Sequence, residues 1–123
     1  MVKIPRWLPA TTLMAAIFIF SSTPSSDLPD YGLWDVLIKK GGHVLGYALL
    51  AFSYWYWLRF TSRTGWLAWL LAVLYAATDE FHQSFTPGRR SSVEDVLIYD
   101  NLGALLGVVV TGWIRKQKLK SKA

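Results

Sequence analysis

The sequence predicts an all-α membrane protein, a bundle of four transmembrane helices with both termini in the cytoplasm. Three observations lead to this prediction. Hydrophobic residues make up 53% of the 123-residue chain. Charged residues make up only 17%, below the roughly 25% that is usual for soluble domains. The charges fall between four long apolar stretches, and the length suits a single domain.

The first predicted span covers residues 7–22, between Arg6 and Asp27. A helix needs about 20 residues to cross the hydrocarbon core, with a range of about 17 to 25. Basic residues followed by an apolar run and small polar residues are also typical of a secretory signal peptide. A cleaved leader therefore remains an alternative for this segment, although its removal would leave three spans and a poorer charge pattern.

The remaining spans are predicted at residues 41–58, 64–85 and 95–114, and residues 115–123 form a basic tail. Most of the tryptophans lie near the ends of these segments, as interfacial aromatic residues do. The chain contains no cysteine, which excludes disulfides, thiolate metal sites and cysteine nucleophiles.

The distribution of Lys and Arg predicts the orientation, because cytoplasmic loops are enriched in these residues. One side of a four-span chain carries Lys3, Arg6, Arg59, Arg63, Arg115, Lys116, Lys118, Lys120 and Lys122. The other side carries Lys39, Lys40, Arg89 and Arg90. The richer side is placed in the cytoplasm of a bacterium, with the protein in its inner membrane. The basic tail suits an anionic leaflet, and no nucleic-acid partner is predicted.

Ionisable residues of three spans lie at similar predicted depths. His43, Asp79 and Asp100 stand 15 or 16 residues from the cytoplasmic arginine at the inner end of their span, roughly 22 to 24 Å at 1.5 Å per residue. Lys40 and His82 stand 19 residues out, roughly 28 Å. Because intramembrane ionisable residues face the bundle interior and pair with one another, the sequence predicts a polar pocket in the outer quarter of the membrane.

Helical periodicity places members of this cluster on common faces. Each of two sets lies on one face of its own helix: Lys40, His43 and Tyr47 on span two, and Asp79, His82 and Gln83 on span three. The cluster could bind a ligand, fix helix register, or support acid–base chemistry through the catalytic candidates Asp79, Glu80 and His82. The residue types would suit zinc or manganese. However, no H-x-x-x-H pair occurs, and neither a metal nor another cofactor is predicted.

Four stretches stand in order over residues 20–107: FSSTP, KGGHVLGYALLAF, DEFHQSFTPGR and DNLGALLG. With these motifs the chain resembles the VanZ-like membrane proteins, a family named for an accessory protein of glycopeptide (teicoplanin) resistance. The specific part is D-E-x-H-Q-x-F-x-P-G-R followed by D-N-x-G-x-x-x-G. The resemblance implies that the family's motif positions are Lys40, His43, Tyr47, Asp79, Glu80, His82, Gln83, Arg89, Asp100 and Asn101.

One position departs from the family pattern. Family members usually carry an acid four residues before the D/N-x-x-G acid, whereas Asp95 stands five residues before Asp100. Either Asp95 is displaced by one residue or span four begins irregularly.

Two further motifs carry structural predictions. The TPGRR stretch predicts a turn whose arginines, Arg89 and Arg90, could fork onto a phosphate. Gly103 and Gly107 form a G-x-x-x-G face for close helix packing, either within the chain or in an oligomer. Gly42 and Gly46 repeat the spacing on span two and are candidates for the other half of one contact.

The predicted function is binding of a lipid or a lipid-linked cell-wall precursor at the outer leaflet. Lys40 and Arg89 would meet a phosphate, and Asp79, Glu80 and Asp100 would meet hydroxyls or amines. The resemblance implies an accessory role in the cell envelope or in glycopeptide susceptibility. A small intramembrane enzyme, a hydrolase or transferase acting on a phosphate- or sugar-bearing lipid, is the main alternative. A proton-coupled transporter or assembly partner is a third, disfavoured because the inner halves of spans two and three contain no ionisable group other than tyrosine.

Overall fold

A computed structural model of the protein describes residues 3–23, 30–88 and 93–122. Within these ranges the chain forms four long α-helices and no β-strand, which confirms the all-α class. The helices are α1 (Leu8–Ser22), α2 (Asp35–Trp57), α3 (Gly65–Gln83) and α4 (Asn101–Ser121). A 3₁₀ turn, Gly32–Trp34, precedes α2, and a π-helical turn, Asp95–Asp100, leads directly into α4.

The helix ends follow from local chemistry. Pro9 lies in the first turn of α1, where the N–H group that proline lacks would have no partner within the helix. Asp35 is the first residue of α2, where a carboxylate is favoured by the helix dipole, and it forms a salt bridge with Lys39 at 2.8 Å. The helix therefore begins before residue 41, the predicted start of span two.

The turn between α2 and α3 uses two residues in the left-handed region. Arg59 has φ 64° and Phe60 has φ 53°, a conformation that costs energy for residues other than glycine. The Phe60 N–H donates to the Trp55 carbonyl oxygen at 2.8 Å, and its ring packs edge-on against Trp55. These contacts hold the turn and close the end of α2.

Small residues allow α3 to approach its neighbours. Ala68, Ala72 and Ala76 are buried at a spacing of four residues, so they form one stripe along the helix. Larger side chains of α2, including Leu50 and Tyr54, complete the core opposite them. This pattern of small residues at helix contacts is typical of membrane bundles.

The G-x-x-x-G face of α4 packs within the chain. A Cβ on Gly103 would lie 2.3 Å from the carbonyl oxygen of Val44, and one on Gly107 would lie 2.3 Å from that of Ala48. The backbones of α2 and α4 are therefore in direct contact, and close packing inside the chain is confirmed. An oligomer through the same glycines stays a prediction.

The predicted partners of this face are wrong. A Cβ added to Gly42 or Gly46 would meet nothing within 4 Å, so these glycines make no contact with α4. Only α4 contributes glycines to this contact, because carbonyl oxygens of α2 pack directly against Gly103 and Gly107. Gly42 and Gly46 instead line a cavity described below.

Span four begins irregularly, as one of the two sequence alternatives requires. Residues Asp95–Asp100 form a π-helix, in which the hydrogen bonds join residues five apart instead of four. Such a turn takes up one more residue than an α-turn, which accounts for the five-residue spacing of Asp95 and Asp100. π-Turns of this kind occur frequently at functional sites.

The helices differ in how clearly they qualify as membrane spans. The helical segment Val96–Ser121, of 26 residues, is long and apolar enough to cross a membrane. Leu8–Ser22 is also apolar but shorter. The helix that includes α4 continues past the predicted end of span four at residue 114, so most of the basic tail is helical.

Candidate functional site

A cavity of about 380 Å³ lies among α1, α2 and α3. Apolar side chains of α1, including Ala16, Ile17 and Phe20, form one wall, and the backbone at Gly42 and Gly46 of α2 forms another. Phe20 and Ile38 line the cavity and are each 46% exposed. The cavity therefore reaches the protein surface between α1 and α2.

A polar network around Asp79 forms the floor of this cavity. The Ser21 hydroxyl donates to Asp79 Oδ2 at 2.8 Å. The Gln83 amide nitrogen lies 3.1 Å from Ser21 Oγ and 3.3 Å from the same carboxylate oxygen. The Thr86 hydroxyl donates to the Ser21 carbonyl at 2.9 Å. These contacts join the C-terminal ends of α1 and α3, and all four residues are buried.

An acid–histidine pair joins α2 to the end of the π-turn beside the floor. His43 Nδ1 lies 2.8 Å from Asp100 Oδ1, and Asp100 is 1% exposed. His43 and Asp79 line the same cavity, so the structure places these three residues in one cluster. Their common depth in a membrane stays a prediction.

Two buried polar atoms at the cavity have no hydrogen-bond partner among the described residues. They are the Tyr47 hydroxyl and Asp79 Oδ1. Tyr47 is 2% exposed and Asp79 is 5% exposed, and both residues line the cavity. An unsatisfied buried polar atom costs about 1 to 3 kcal/mol. The site therefore offers a phenolic hydroxyl and a carboxyl oxygen to a molecule in the cavity.

The two neighbouring lysines of α2 have different surroundings. Lys39, not Lys40, lines the cavity, and its ammonium also bridges to Asp35. The Lys40 ammonium lies over the Tyr99 ring, 4.5 Å from the ring centre. The predicted set named Lys40 for the pocket, but the structure brings Lys39 to its edge.

Other members of the predicted set lie beside the cavity. His82 Nε2 is 2.8 Å from Ser22 Oγ, and its ring stacks on Phe18. Asn101 Oδ1 accepts a hydrogen bond from Trp69 Nε1 at 2.7 Å. His82 therefore contacts the C-terminal end of α1, and Asn101 ties α4 to α3.

Four of the ten predicted residues line the described cavity: His43, Tyr47, Asp79 and Gln83. Glu80 is buried on α3, 6% exposed, without lining the cavity. Arg89 lies outside the described residues, as does Arg90. Among the described residues, no three His, Cys, Asp or Glu side chains form a group that could hold a metal ion.

The family model described as VanZ/LLP1 matches residues 4–115. The chain belongs to the VanZ/LLP1 family. The resemblance seen in its motifs is thereby confirmed, and the matched range contains every residue that lines the cavity. Proteins of this family are generally membrane-associated. No curated protein and no solved structure matches the chain.

The cavity of this VanZ/LLP1 protein is also lined by three polar residues that are absent from the predicted set: Ser21, Tyr31 and Lys39. Ser21 forms hydrogen bonds with Asp79, Gln83 and Thr86, yet serine is common in apolar helices and carries no charge signal. Its only sequence signal was its place in FSSTP. The predicted set contains Lys40 and not Lys39, although Lys39 lies four residues before His43 and so close to the same helix face.

Proposed function

We propose that this VanZ/LLP1 protein is a four-span protein of the bacterial cytoplasmic membrane, with both termini inside. In this proposal the cavity opens at the outer leaflet and binds the headgroup of a lipid or of a lipid-linked cell-wall precursor. The protein would act as an accessory factor of the cell envelope.

The observation that carries the proposal is the make-up of the cavity. Its α1 wall is mainly apolar, and its floor holds Ser21, Tyr47, Asp79 and Gln83. A lipid has the same two parts, because an acyl chain prefers apolar surface while its headgroup needs hydrogen bonds. The Tyr47 hydroxyl and Asp79 Oδ1 would gain the partners that the described protein does not supply.

Exposed apolar side chains support a membrane environment for the bundle. On α4 alone, eight are more than 40% exposed: Leu102, Leu105, Leu106, Val109, Val110, Trp113, Ile114 and Leu119. The other helices expose further ones, such as Ile19, Leu45 and Leu74. Soluble monomers rarely expose apolar patches of this extent.

The proposed orientation is supported by contacts at the end opposite the cavity floor. The Arg6 guanidinium donates to the Tyr56 carbonyl at 3.1 Å. The Arg115 guanidinium lies 5.5 Å from the centres of the Trp55 and Phe60 rings. The N-terminal segment, the α2–α3 turn and the basic end of α4 thus meet at one end, in agreement with a common cytoplasmic side.

A cavity-filling variant tests the proposal. In Gly46→Leu the new side chain has free space and enters the cavity, because Gly46 lines it and an added Cβ meets nothing within 4 Å. Gly41→Leu is the matched control, since Gly41 is equally unobstructed but does not line the cavity. Native mass spectrometry of protein purified in mild detergent measures the lipid retained.

We expect the wild type and Gly41→Leu to carry a defined lipid and Gly46→Leu to have lost it. If all three proteins carry the same lipids, or none, the cavity is not a lipid site. The polar cluster would then be a structural network.

An enzyme is the second candidate, and one contact favours it. Ser22 Oγ and His82 Nε2 are 2.8 Å apart, a pairing of nucleophile and base types. Ser22 Oγ also lies 2.8 Å from the Phe18 carbonyl, and its single proton cannot be donated to both partners. If His82→Gln abolishes turnover of the lipid identified above while its binding persists, the protein is an enzyme. Binding without turnover in the wild type excludes enzymatic action on that lipid.

A further inference from the structure

Resting on the proposed lipid-binding function, we infer that the cavity selects a headgroup carrying a primary ammonium and a phosphate. The ammonium lies at the floor against Asp79, and the phosphate lies at the edge near Lys39. The ligand class is an aminoalkyl phospholipid such as an ethanolamine lipid.

The charge of the floor determines which end of the headgroup enters first. Asp79 Oδ1 is a buried carboxylate oxygen without a partner in the described chain, whereas Asp100 is paired with His43 at 2.8 Å and does not line the cavity. A phosphate at this depth would face the Asp79 carboxylate. An ammonium would instead form a charge-assisted hydrogen bond, which is stronger than one from a neutral hydroxyl.

The edge of the cavity offers the opposite charge. Lys39 lies eight residues before Tyr47 on α2, about 12 Å further out along the helix axis. Its ammonium has three donors, of which Asp35 occupies one at 2.8 Å. The remaining donors can reach a phosphate without breaking that bridge. The site therefore changes from anionic at the floor to cationic at the edge.

The opening between α1 and α2 agrees with this orientation. Phe20 and Ile38 flank the opening and are half-exposed. A headgroup can therefore enter sideways from the outer leaflet while its acyl chains remain among the lipids. The Tyr47 hydroxyl, which can donate or accept, then contacts the bound headgroup between the two charges.

Three phospholipids with identical acyl chains test the inference by native mass spectrometry. One has an ethanolamine head with N–H donors, one a choline head with the same charge and no N–H donor, and one a glycerol head with hydroxyls only. We expect wild-type protein to retain the ethanolamine lipid at least about tenfold better than either of the others, as a charge-assisted hydrogen bond allows.

Two variants locate the preference within the cavity. Asp79→Asn removes the carboxylate and should abolish the tenfold preference. Glu94→Gln makes the same change at an exposed acid outside the cavity and should retain it. The wild-type lipid series needs no variant, so it decides the matter even if Asp79→Asn does not fold.

The outcomes separate the inference from the function on which it rests. Equal retention of the three lipids, all lost in Gly46→Leu, would overturn the ammonium selection and leave the lipid site intact. Preferential retention of the choline or glycerol lipid would do the same. Retention that Gly46→Leu does not change would overturn the lipid site itself, and the inference with it.

Discussion

Replacing Gly107 with alanine tests one of the two close backbone contacts between α2 and α4. The new Cβ would lie 2.3 Å from the Ala48 carbonyl oxygen and 3.0 Å from that residue's carbonyl carbon and Cα. Relief requires α2 and α4 to separate by roughly 1 Å, because non-bonded heavy atoms prefer about 3.5 Å or more. All three neighbouring atoms belong to the backbone, so no side chain can rotate away.

The expected cost follows from the packing. Forcing an extra methyl group into a well-packed contact costs about 1 to 3 kcal/mol. The rigid backbone places Gly107→Ala in the upper part of that range. At Gly112, on the same helix, an added Cβ would lie 3.5 Å from the Trp55 ring, an ordinary contact. Gly112→Ala should therefore gain the helix preference of alanine, about 0.5 to 1 kcal/mol.

The two variants should differ by about 3 kcal/mol in the free energy of unfolding, with opposite signs relative to wild type. Thermal or SDS-induced unfolding in detergent, followed by tryptophan fluorescence, measures the difference. Equal stability of Gly107→Ala and Gly112→Ala would refute the claim that the backbones of α2 and α4 are in direct contact.

Two further predictions concern topology and the tie between α3 and α4. The chain has no cysteine, so Ser84→Cys and Ser62→Cys each introduce a single thiol at an exposed position. An impermeant thiol reagent added to whole cells should label Ser84→Cys and leave Ser62→Cys unlabelled. The reverse pattern would contradict the orientation. Trp69→Phe removes the donor to Asn101 and should lower the unfolding free energy by about 0.6 kcal/mol or more. Trp66→Phe, at a 64% exposed position, should leave it unchanged, and equal effects would show that the hydrogen bond adds nothing.

Spacing along the chain predicts which residues of separate helices meet, because each helical residue adds a fixed rise. His43 and Asp100 are 57 residues apart in sequence, and counting residues from the arginines predicts them at one level; the two side chains are in contact. The depth of that level in a membrane stays a prediction. For the start of span four the acid spacing left two alternatives, and the structure shows the irregular start. The π-turn Asp95–Asp100 provides the extra residue.

The sequence predicts the contacts of individual side chains less well, because these contacts depend on how each helix is rotated about its axis relative to its neighbours. Lys39 and Lys40 are about 40° and 60° from His43 around the helix, at 3.6 residues per turn, so periodicity separates them poorly. Gly42 and Gly46 have the spacing of a packing face, but the surface that meets α4 carries Val44 and Ala48. The role of Ser21 could not be predicted from the sequence, because it depends on the contact between α1 and Asp79.

A crystal structure grown from bicelles doped with an ethanolamine phospholipid tests the central claim most directly. The account predicts a headgroup among α1, α2 and α3, with its ammonium within hydrogen-bond distance of Asp79 and its phosphate near Lys39. Lipid density confined to the outer surface of the bundle, with only water at Asp79 and Tyr47, would contradict it.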